Sequence, residues 1–298
     1  MTRTCVRTGS TGELGIEVLT LPYPAEPFTD CLGADLCGQD SWPDLAVLGE
    51  ALMCSDPVEL PPPEDPAQLC WYRWVVGHHA AFCVWRLLDH ELERLTEGEG
   101  SIAQASMLYD VYSALFTYAG SCTPTQYAEV ARARMKAKHP AFSGTWARDY
   151  ERIPALTRQV NETYAPHTVA PLRKAARDNH LVHRALAMRL VPQGGSLLQD
   201  AGKAAEPTDT ERDLLDELFL TVRGPSCPAA FAAQTVRRVT RIGRDLATHG
   251  LDSETYRGIG FTREQEDTVM RVEQSCAATV AGFGAWVARQ SERTSAHA

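Results

Sequence analysis

Signals that begin and end α-helices follow one another along most of this chain. From Pro66 onward, long segments with apolar residues at helical spacing alternate with short polar or glycine-containing breaks. Three segments begin with a Thr that is followed three residues later by Gln or Glu, the spacing of a capping box; the pairs are Thr123–Gln126, Thr208–Glu211 and Thr262–Gln265. We expect helices over residues 66–97, 102–119, 123–138, 145–162, 166–191, 208–223, 228–250 and 262–290, without strands between them. The helix over 145–162 is expected to be interrupted, or to begin afresh, near Pro154. The predicted fold class is all-α, a bundle of long helices.

The N-terminal 65 residues differ from this pattern. They are rich in proline, including the run at 61–63, and Gly, Asp and Pro interrupt short apolar stretches such as 16–19. We expect loops and short helices that wrap around the rest of the protein. The predicted organisation is therefore an irregular N-terminal wrap over residues 1–65, which is not a separate domain, and one all-α domain over residues 66–298.

Charge and hydropathy narrow the set of partners. The 298 residues carry a formal net charge of −9, which disfavours binding to the phosphate backbone of nucleic acids. The sequence has no apolar run approaching the ~20 residues of a membrane span, and its start lacks the apolar core of a secretion signal. We expect a cytoplasmic protein that contacts neither membrane nor nucleic acid.

Neither the cysteines nor the common catalytic motifs indicate a disulfide, zinc, phosphate-binding, hydrolase or di-iron site. The nine cysteines form no C-x-x-C pair, so a disulfide framework and a zinc knuckle are both disfavoured, and most are expected to be free thiols. A phosphate-binding P-loop, a hydrolase nucleophile elbow, an H-E-x-x-H motif and the E-x-x-H pairs of di-iron bundles are all absent from the sequence. Histidine remains as the chemically informative residue.

The first histidine of interest lies on the 66–97 helix. Helical spacing places His78 on one stripe with large apolar residues: Trp71, Trp74, Phe82, Trp85, Leu88 and Leu92. Gly77 beside it costs about 1 kcal/mol of helix stability relative to Ala, which is easier to understand if something bulky approaches the backbone there. His79 and His90 fall off this stripe and are expected at the surface or behind the site. The alternative is that His78 is a hydrogen-bonded core residue.

A second pair lies on the 166–191 helix. His180 and His183 share a predicted apolar face with Ala176 and Ala187, whose small side chains leave room for a flat cofactor. The two histidines could bind a metal together, or one could ligate an iron while the other supports it, or both could be satisfied core residues. Two apolar helices that each carry a central histidine suggest haem, because one face of a porphyrin iron needs an imidazole ligand and the other a polar group.

Several motifs resemble those of tryptophan 2,3-dioxygenase. The segment 78–92, in which a histidine is followed twelve residues later by H-E-L, resembles the distal-histidine helix of that family. The segment 122–127 resembles its L-T-P-x-x-Y helix start, and 142–144 with Tyr150 resembles the approach to its substrate-binding arginine. His183 followed by Arg189 resembles its proximal helix, and 193–196 resembles a shortened form of its glycine-rich loop.

The likeness is greater to a divergent branch of histidine-ligated haem aromatic oxygenases. The position of the dioxygenase's arginine holds Glu151, and the glycine loop is short. The sequence resembles the bacterial haem-dependent L-tyrosine hydroxylases of lincomycin- and anthramycin-type pathways, which convert L-tyrosine to L-DOPA and can use hydrogen peroxide. A relative that hydroxylates 3-methyltyrosine binds haem covalently through a cysteine four residues after a ligand histidine. That position after His183 holds Ala187, so non-covalent haem b is expected.

The resemblance implies a role for each candidate residue. His183 would ligate the haem iron through Nε2 with His180 as a possible supporting partner, His78 would act as acid and base on the opposite face, and Trp74 and Phe82 would form aromatic walls. An amino-acid substrate calls for an arginine at its carboxylate. Arg148 is favoured over Arg134 and Arg152, with Tyr150 beside it, and Ser196 in the glycine loop could bind the amino or carboxylate group.

The resemblance thus implies an oxidoreductase of secondary metabolism that hydroxylates the tyrosine ring beside the phenol, using hydrogen peroxide or an O2-derived equivalent. By analogy with the dioxygenases, a homo-oligomer is expected. Three alternatives stay open at this point: a related oxygenase or dioxygenase that acts on indole or tryptophan, a non-haem metal enzyme using His180 and His183, and a non-catalytic helical protein.

Overall fold

A computed structural model describes residues 13–29, 61–192, 194–202, 206–251 and 260–295 of the chain. Helices dominate these ranges, which confirms the all-α fold class. The α-helices are α1 (Pro66–Thr96), α2 (Ile102–Ala119), α3 (Pro124–Gln126), α4 (Ala133–Lys138), α5 (Ile153–Thr163), α6 (Ala170–Leu190), α7 (Leu197–Asp200), α8 (Asp209–Leu218), α9 (Pro228–His249) and α10 (Arg263–Ser295). A π-helical turn, Tyr127–Arg132, joins α3 to α4.

Two helices organise the packing. Helix α2 contacts α1, α6 and α10 along its length, while α1 also packs against α5 and α9. Because α1 has neighbours on several sides, it buries residues around most of its circumference, and not only along the stripe of His78. The site residues on α1 and α6 are therefore both held against α2.

The helix starts follow the capping signals of the sequence. Asp65 caps α1 by accepting a hydrogen bond from the Gln68 amide at 2.8 Å, and Pro66 occupies the first helical position. Reciprocal capping boxes form at all three predicted pairs; the pairs are Thr123–Gln126, Thr208–Glu211 and Thr262–Gln265. Local side-chain chemistry thus determines where most of these helices begin.

The predicted helix over 208–223 is wrong at its C-terminal end. Helix α8 stops at Leu218, and Leu220 adopts a positive φ of 48°. Residues Thr221–Arg223 then form a short strand, β2, which pairs in parallel with β1 (Leu19–Leu21). The strand partner comes from the opposite end of the chain, so no local sequence pattern could have indicated it.

The helix expected within 145–162 begins afresh near Pro154, which is one of the two arrangements that the sequence predicts. Two 3-10 turns, Gly144–Trp146 and Arg148–Tyr150, come first, and α5 begins only at Ile153 with Pro154 in its first turn. Proline fits there because the first amides of a helix have no intrahelical partner.

Gly77 marks a close contact between two helices. A Cβ atom added at Gly77 would lie 2.7 Å from the Cβ of Ala119 on α2, well inside van der Waals contact. The bulky neighbour that the sequence predicts at this glycine is therefore helix α2.

The described part of the N-terminal wrap lies against the helices. The guanidinium of Arg86 donates to the backbone carbonyls of Tyr23 and Glu26. Arg238 on α9 donates to the carbonyls of Glu17 and Val18, and both of these distances are 3.1 Å. Residues 30–60 lie outside the described part of the chain, so the division at residue 65 stays a prediction. Among the described helices, none is both long and apolar enough to span a bilayer.

Candidate functional site

His78 lies within a wall of aromatic rings on α1. Its ring centroid is 4.6 Å from that of Trp74 and 6.2 Å from that of Phe82, and Phe82 is in turn 5.4 Å from Trp85. These residues recur at three- and four-residue spacing and so share one side of the helix, as the sequence predicts. Phe82 and Trp85 are buried, whereas His78 and Trp74 are half-buried.

One backbone contact fixes the tautomer of the neutral His78 ring. Its Nδ1 lies 2.5 Å from the carbonyl oxygen of Trp74. A carbonyl can only accept a hydrogen bond, so Nδ1 carries the proton and Nε2 has the lone pair. Burial, together with the charge of His183, lowers the pKa of His78 to about 4 against the favourable effect of the Trp74 carbonyl. At neutral pH the ring is therefore uncharged and can accept a proton at Nε2.

Phe219 completes the wall from a distant part of the sequence. It follows α8 and stacks on His78, with centroids 4.3 Å apart and planes 18° apart. Its carbonyl oxygen is hydrogen-bonded by Nε2 of His79. His79 is fully buried. Of the two places expected for it, the structure shows the one behind the site, where His79 positions the segment that carries Phe219. It is buried because α1 packs against helices on several sides.

On α6, the face that carries His180 and His183 is exposed, so the predicted apolar face is wrong. The buried face is offset around the helix and consists of Leu172, Ala175, Asn179, Val182, Ala185, Leu186, Arg189 and Leu190. Asn179 and Arg189 are polar, so the helical spacing of the buried residues is not visible as an apolar stripe in the sequence. Both side chains have hydrogen-bond partners inside the protein. Asn179 donates to Ser113 Oγ at 3.1 Å, and Arg189 donates to the carbonyl oxygen of Cys122 at 3.0 Å.

His183 nevertheless presents a neutral imidazole. Its ring stacks on Phe116 of α2, with centroids 4.7 Å apart and planes 9° apart. Although part of the side chain is exposed, desolvation by the surrounding protein lowers the pKa of His183, and the charge of His180 lowers it further. Neutral imidazole is the form that ligates iron. His180 itself is exposed and has no hydrogen-bond partner among the described contacts that would orient His183.

A series of ring contacts connects the two histidines. Starting from His183 it passes through Phe116, Tyr112, Trp85 and Phe82 to His78, with successive centroid distances of 4.7, 4.4, 5.1, 5.4 and 6.2 Å. Both α1 and α6 pack on α2. The two imidazoles therefore stand on separate helices beside a shared aromatic surface.

This arrangement fits a haem better than a metal ion held by several side chains. A haem iron needs one protein imidazole on its proximal side, and the porphyrin needs a large apolar surface. His183 offers an accessible, neutral imidazole with the half-buried Phe116 ring beside it, while Tyr112, Trp85 and Phe82 continue the series as buried rings. The described residues contain no group of three or more His, Cys, Asp or Glu side chains that could hold a metal ion.

Arg148, the favoured carboxylate partner, is engaged by acidic side chains. Its Nη2 lies 2.5 Å from Asp213, and its Nε lies 3.5 Å from Asp216. Tyr150 packs 5.2 Å from Trp85, at the C-terminal end of the aromatic stripe. The structure thus brings Tyr150 to the candidate site but gives Arg148 two carboxylates that already compensate its charge.

Arg134 and Ser196 lie towards the other end of the stripe. The guanidinium of Arg134 covers the ring of Trp71 at 4.6 Å, one turn before Trp74. The hydroxyl of Ser196 accepts the amide of Gln199 at 3.2 Å and caps α7, while its own proton remains available to a ligand. Gln193 of the glycine loop lies outside the described residues.

Sequence reasoning missed three residues that shape the site. Phe219 gave no signal, because it lies in an irregular segment far along the chain. Tyr127, whose ring is 5.4 Å from Trp74, was noted only as part of a helix-start motif. Arg132 hydrogen-bonds Tyr127, and it also donates to the Gly195 carbonyl at 3.1 Å and pairs with Asp200 at 2.7 Å. Arg132 thereby ties the glycine loop to the aromatic wall around His78.

A shallow cleft on the other side of α1 is a different feature. It is lined by His79 and by apolar and charged side chains: Ile16, Glu17, Val76, Arg237, Arg238 and Arg241. Glu17 lies 3.3 Å from Arg237, so part of the positive charge is compensated. The cleft holds neither His78 nor His183, and we do not assign the chemistry to it.

Comparison with known proteins agrees with the motifs. Residues 41–176, a little under half of the chain, match the family model described as SfmD 3-methyl-L-tyrosine peroxygenase. No curated protein matches the chain. The matched range contains His78 and its aromatic neighbours and ends before His183. The match confirms the resemblance to haem peroxygenases of the tyrosine-hydroxylase type.

Proposed function

We propose that this protein is a haem-dependent peroxygenase that hydroxylates L-tyrosine, or a closely related tyrosine, at the ring carbon beside the phenol. With L-tyrosine the product is L-DOPA, and the oxidant is hydrogen peroxide or an O2-derived equivalent. The observation that carries the proposal is His78, an imidazole with a fixed tautomer inside an aromatic wall, which a series of ring contacts connects to His183 on another helix. The family match over residues 41–176 supports the same reaction class.

His183 would hold the haem. Its imidazole is neutral and accessible, and the Phe116 ring supports one of its faces. Bound haem would supply the redox-active iron that activates the oxidant. Residue 187, four positions later, is Ala and cannot form a thioether, so we assign non-covalent haem b.

His78 would move protons. Nε2 can accept a proton from incoming peroxide and return it to the departing oxygen atom, which assists cleavage of the O–O bond. Proton transfer of this kind typically contributes about 10²–10⁴-fold to rate. The low pKa keeps the ring neutral until it receives that proton, and a hydrogen bond from the substrate phenol to Nε2 would orient the ring carbon beside it.

Trp74 and Phe82 would flank the substrate ring, and its carboxylate would meet an arginine. Trp71 and Trp85 each lie seven residues from His78, which corresponds to about 10 Å along the helix in either direction. Arg134 marks the first end, while Arg148 and Tyr150 mark the second. A single tyrosine with its phenol at His78 can extend towards only one of them. Substituting Arg134→Gln and Arg148→Gln separately should therefore raise KM in one variant only.

The test is reconstitution of the purified chain with hemin. We expect a Soret band, and incubation with L-tyrosine and hydrogen peroxide should give a product heavier by one oxygen atom that co-elutes with L-DOPA. Parallel reactions with 3-methyl-L-tyrosine and L-tryptophan define the substrate. Gain of two oxygen atoms by tryptophan would instead assign the dioxygenase reaction, and a protein without pigment would overturn the haem assignment.

A further inference from the structure

Two cysteine side chains meet beneath the candidate site. Cys70, in the second turn of α1, and Cys122, in the turn between α2 and α3, belong to one small buried cluster with Leu190 of α6. Their exposed fractions are 2% and 3%, and the two thiols are hydrogen-bonded to each other. The sequence gives no hint of this contact, since 52 positions separate the two residues and neither is part of a C-x-x-C motif.

The surroundings make Cys70 unusually acidic for a buried thiol. Its hydrogen bond with Cys122 lowers the pKa most, and the charge of Arg73 and a backbone contact at Ala131 lower it further against the opposing effect of burial. In contrast, burial raises the pKa of Cys83 to about 11 and that of Cys276 to about 12. Because the thiolate is the reactive form, Cys70 is set apart from these two core thiols.

We propose that Cys70 and Cys122 are a peroxide-oxidisable pair that forms a reversible disulfide. The Cys70 sulfur attacks hydrogen peroxide, so that an S–O bond forms, the O–O bond breaks and hydroxide leaves as water after taking the thiol proton. The Cys122 sulfur then attacks the sulfenic acid, an S–S bond forms, and a second water leaves. Overall two thiols lose two electrons to one peroxide, which is reduced to two waters, and an added dithiol reverses the reaction.

The Cys70–Cys122 disulfide would restrict movement on one side of the candidate site. It would join α1 covalently to the turn that precedes α3, where Tyr127 packs beside both cysteines and 5.4 Å from Trp74. Trp74 in turn provides the carbonyl that fixes the tautomer of His78. Peroxide is the oxidant of the proposed function, yet the disulfide needs no haem, so this inference can fail or succeed independently of that function.

The experiment uses the full-length chain without added haem. The protein is reduced, freed of reductant, treated with hydrogen peroxide, alkylated and digested with trypsin and a glutamyl endopeptidase. Cleavage after Glu64 and Arg73 isolates Cys70 in residues 65–73, and cleavage after Glu99 and Glu129 isolates Cys122 in residues 100–129. We expect a peptide linking these two fragments, which disappears when dithiothreitol is added before digestion.

Three serine variants and an unfolded control make the result decisive. Cys70→Ser and Cys122→Ser should lose the linked peptide, whereas Cys276→Ser should retain it. In Cys122→Ser, the Cys70 thiol should proceed to sulfinic acid. Protein oxidised in concentrated urea should yield several pairings, because the contact exists only in the fold. Intact Cys70 and Cys122 thiols after peroxide treatment of the folded protein, or pairing of Cys70 with another cysteine there, would refute the proposal.

Discussion

His78 on α1 is half-buried among aromatic side chains, whereas His183 on α6 lies on an exposed face of its helix. His78 is fixed by a backbone carbonyl and covered by the Phe219 ring, while His183 has one supported face and an accessible edge. Both rings are kept neutral, but for different uses. Rigid placement and desolvation suit a group that exchanges protons with a substrate, and accessibility suits a group that binds a metal. The four predictions below test this division of roles.

The largest effect, loss of both haem and activity, is expected on substitution of the exposed His183. His183→Ala should abolish haem binding, because the proposed iron ligand is removed, and activity should disappear with the Soret band. His180→Gln is the matched control on the same face of α6 and should retain the pigment. Titration with hemin followed by absorption spectroscopy distinguishes the two variants. A pigmented His183→Ala protein of normal affinity would remove the assignment of His183 as ligand.

Substitution of His78 should leave haem binding unchanged and reduce activity. His78→Gln should bind haem like the wild-type protein but lose roughly 10²–10⁴-fold in turnover with peroxide, because the proton acceptor is missing. Hemin affinity and product formation are measured on the same preparation. Loss of pigment together with activity would show that His78 supports haem binding rather than proton transfer.

The enclosure of His78 also predicts how stability depends on pH. Its folded pKa, about 4, lies below the ordinary value of 6.5. The unfolded chain therefore takes up a proton first as pH falls, and the stability present above pH 6.5 declines towards pH 4. For a half-buried group we expect about 1–2 kcal/mol lost between pH 7 and pH 5. Urea unfolding of the haem-free protein should show a smaller loss in His78→Gln than in the wild-type protein.

The smallest effect concerns the ring that covers His78. Phe219→Leu keeps an apolar side chain but removes the stacking, which is typically worth about 0.5–1.5 kcal/mol. Turnover should fall by roughly 3–10-fold at unchanged hemin affinity, because the imidazole is held less firmly. Phe142→Leu removes a comparable ring pair, 5.2 Å from Trp146, away from the stripe, and should leave turnover unchanged. Equal losses in both variants would mean that stacking on His78 has no special role.

Local chemistry explains what could be predicted from the sequence. Helix starts depend on side chains within four residues, so Thr123, Thr208 and Thr262 were identified correctly. The stripe around His78 was also predictable, because its aromatic residues recur at helical spacing.

The remaining features depend on partners that are distant in sequence. Asn179 and Arg189 made the buried face of α6 look polar, since their hydrogen-bond acceptors lie on α2 and in the turn after it. His79 and Phe219 meet across 140 positions. Local periodicity contains no information about such contacts.

The strand pair β1–β2 has a consequence for how the protein folds. The amide of Leu19 donates to the carbonyl of Leu220 at 3.0 Å, so residues near the beginning of the chain anchor the segment that carries Phe219. A contact of this sequence separation carries a high entropic cost and forms slowly. On the ribosome, the cover over His78 therefore cannot assemble until the segment that carries Phe219 has emerged. Removal of the first 21 residues would leave the histidine in place but deprive its cover of that anchor.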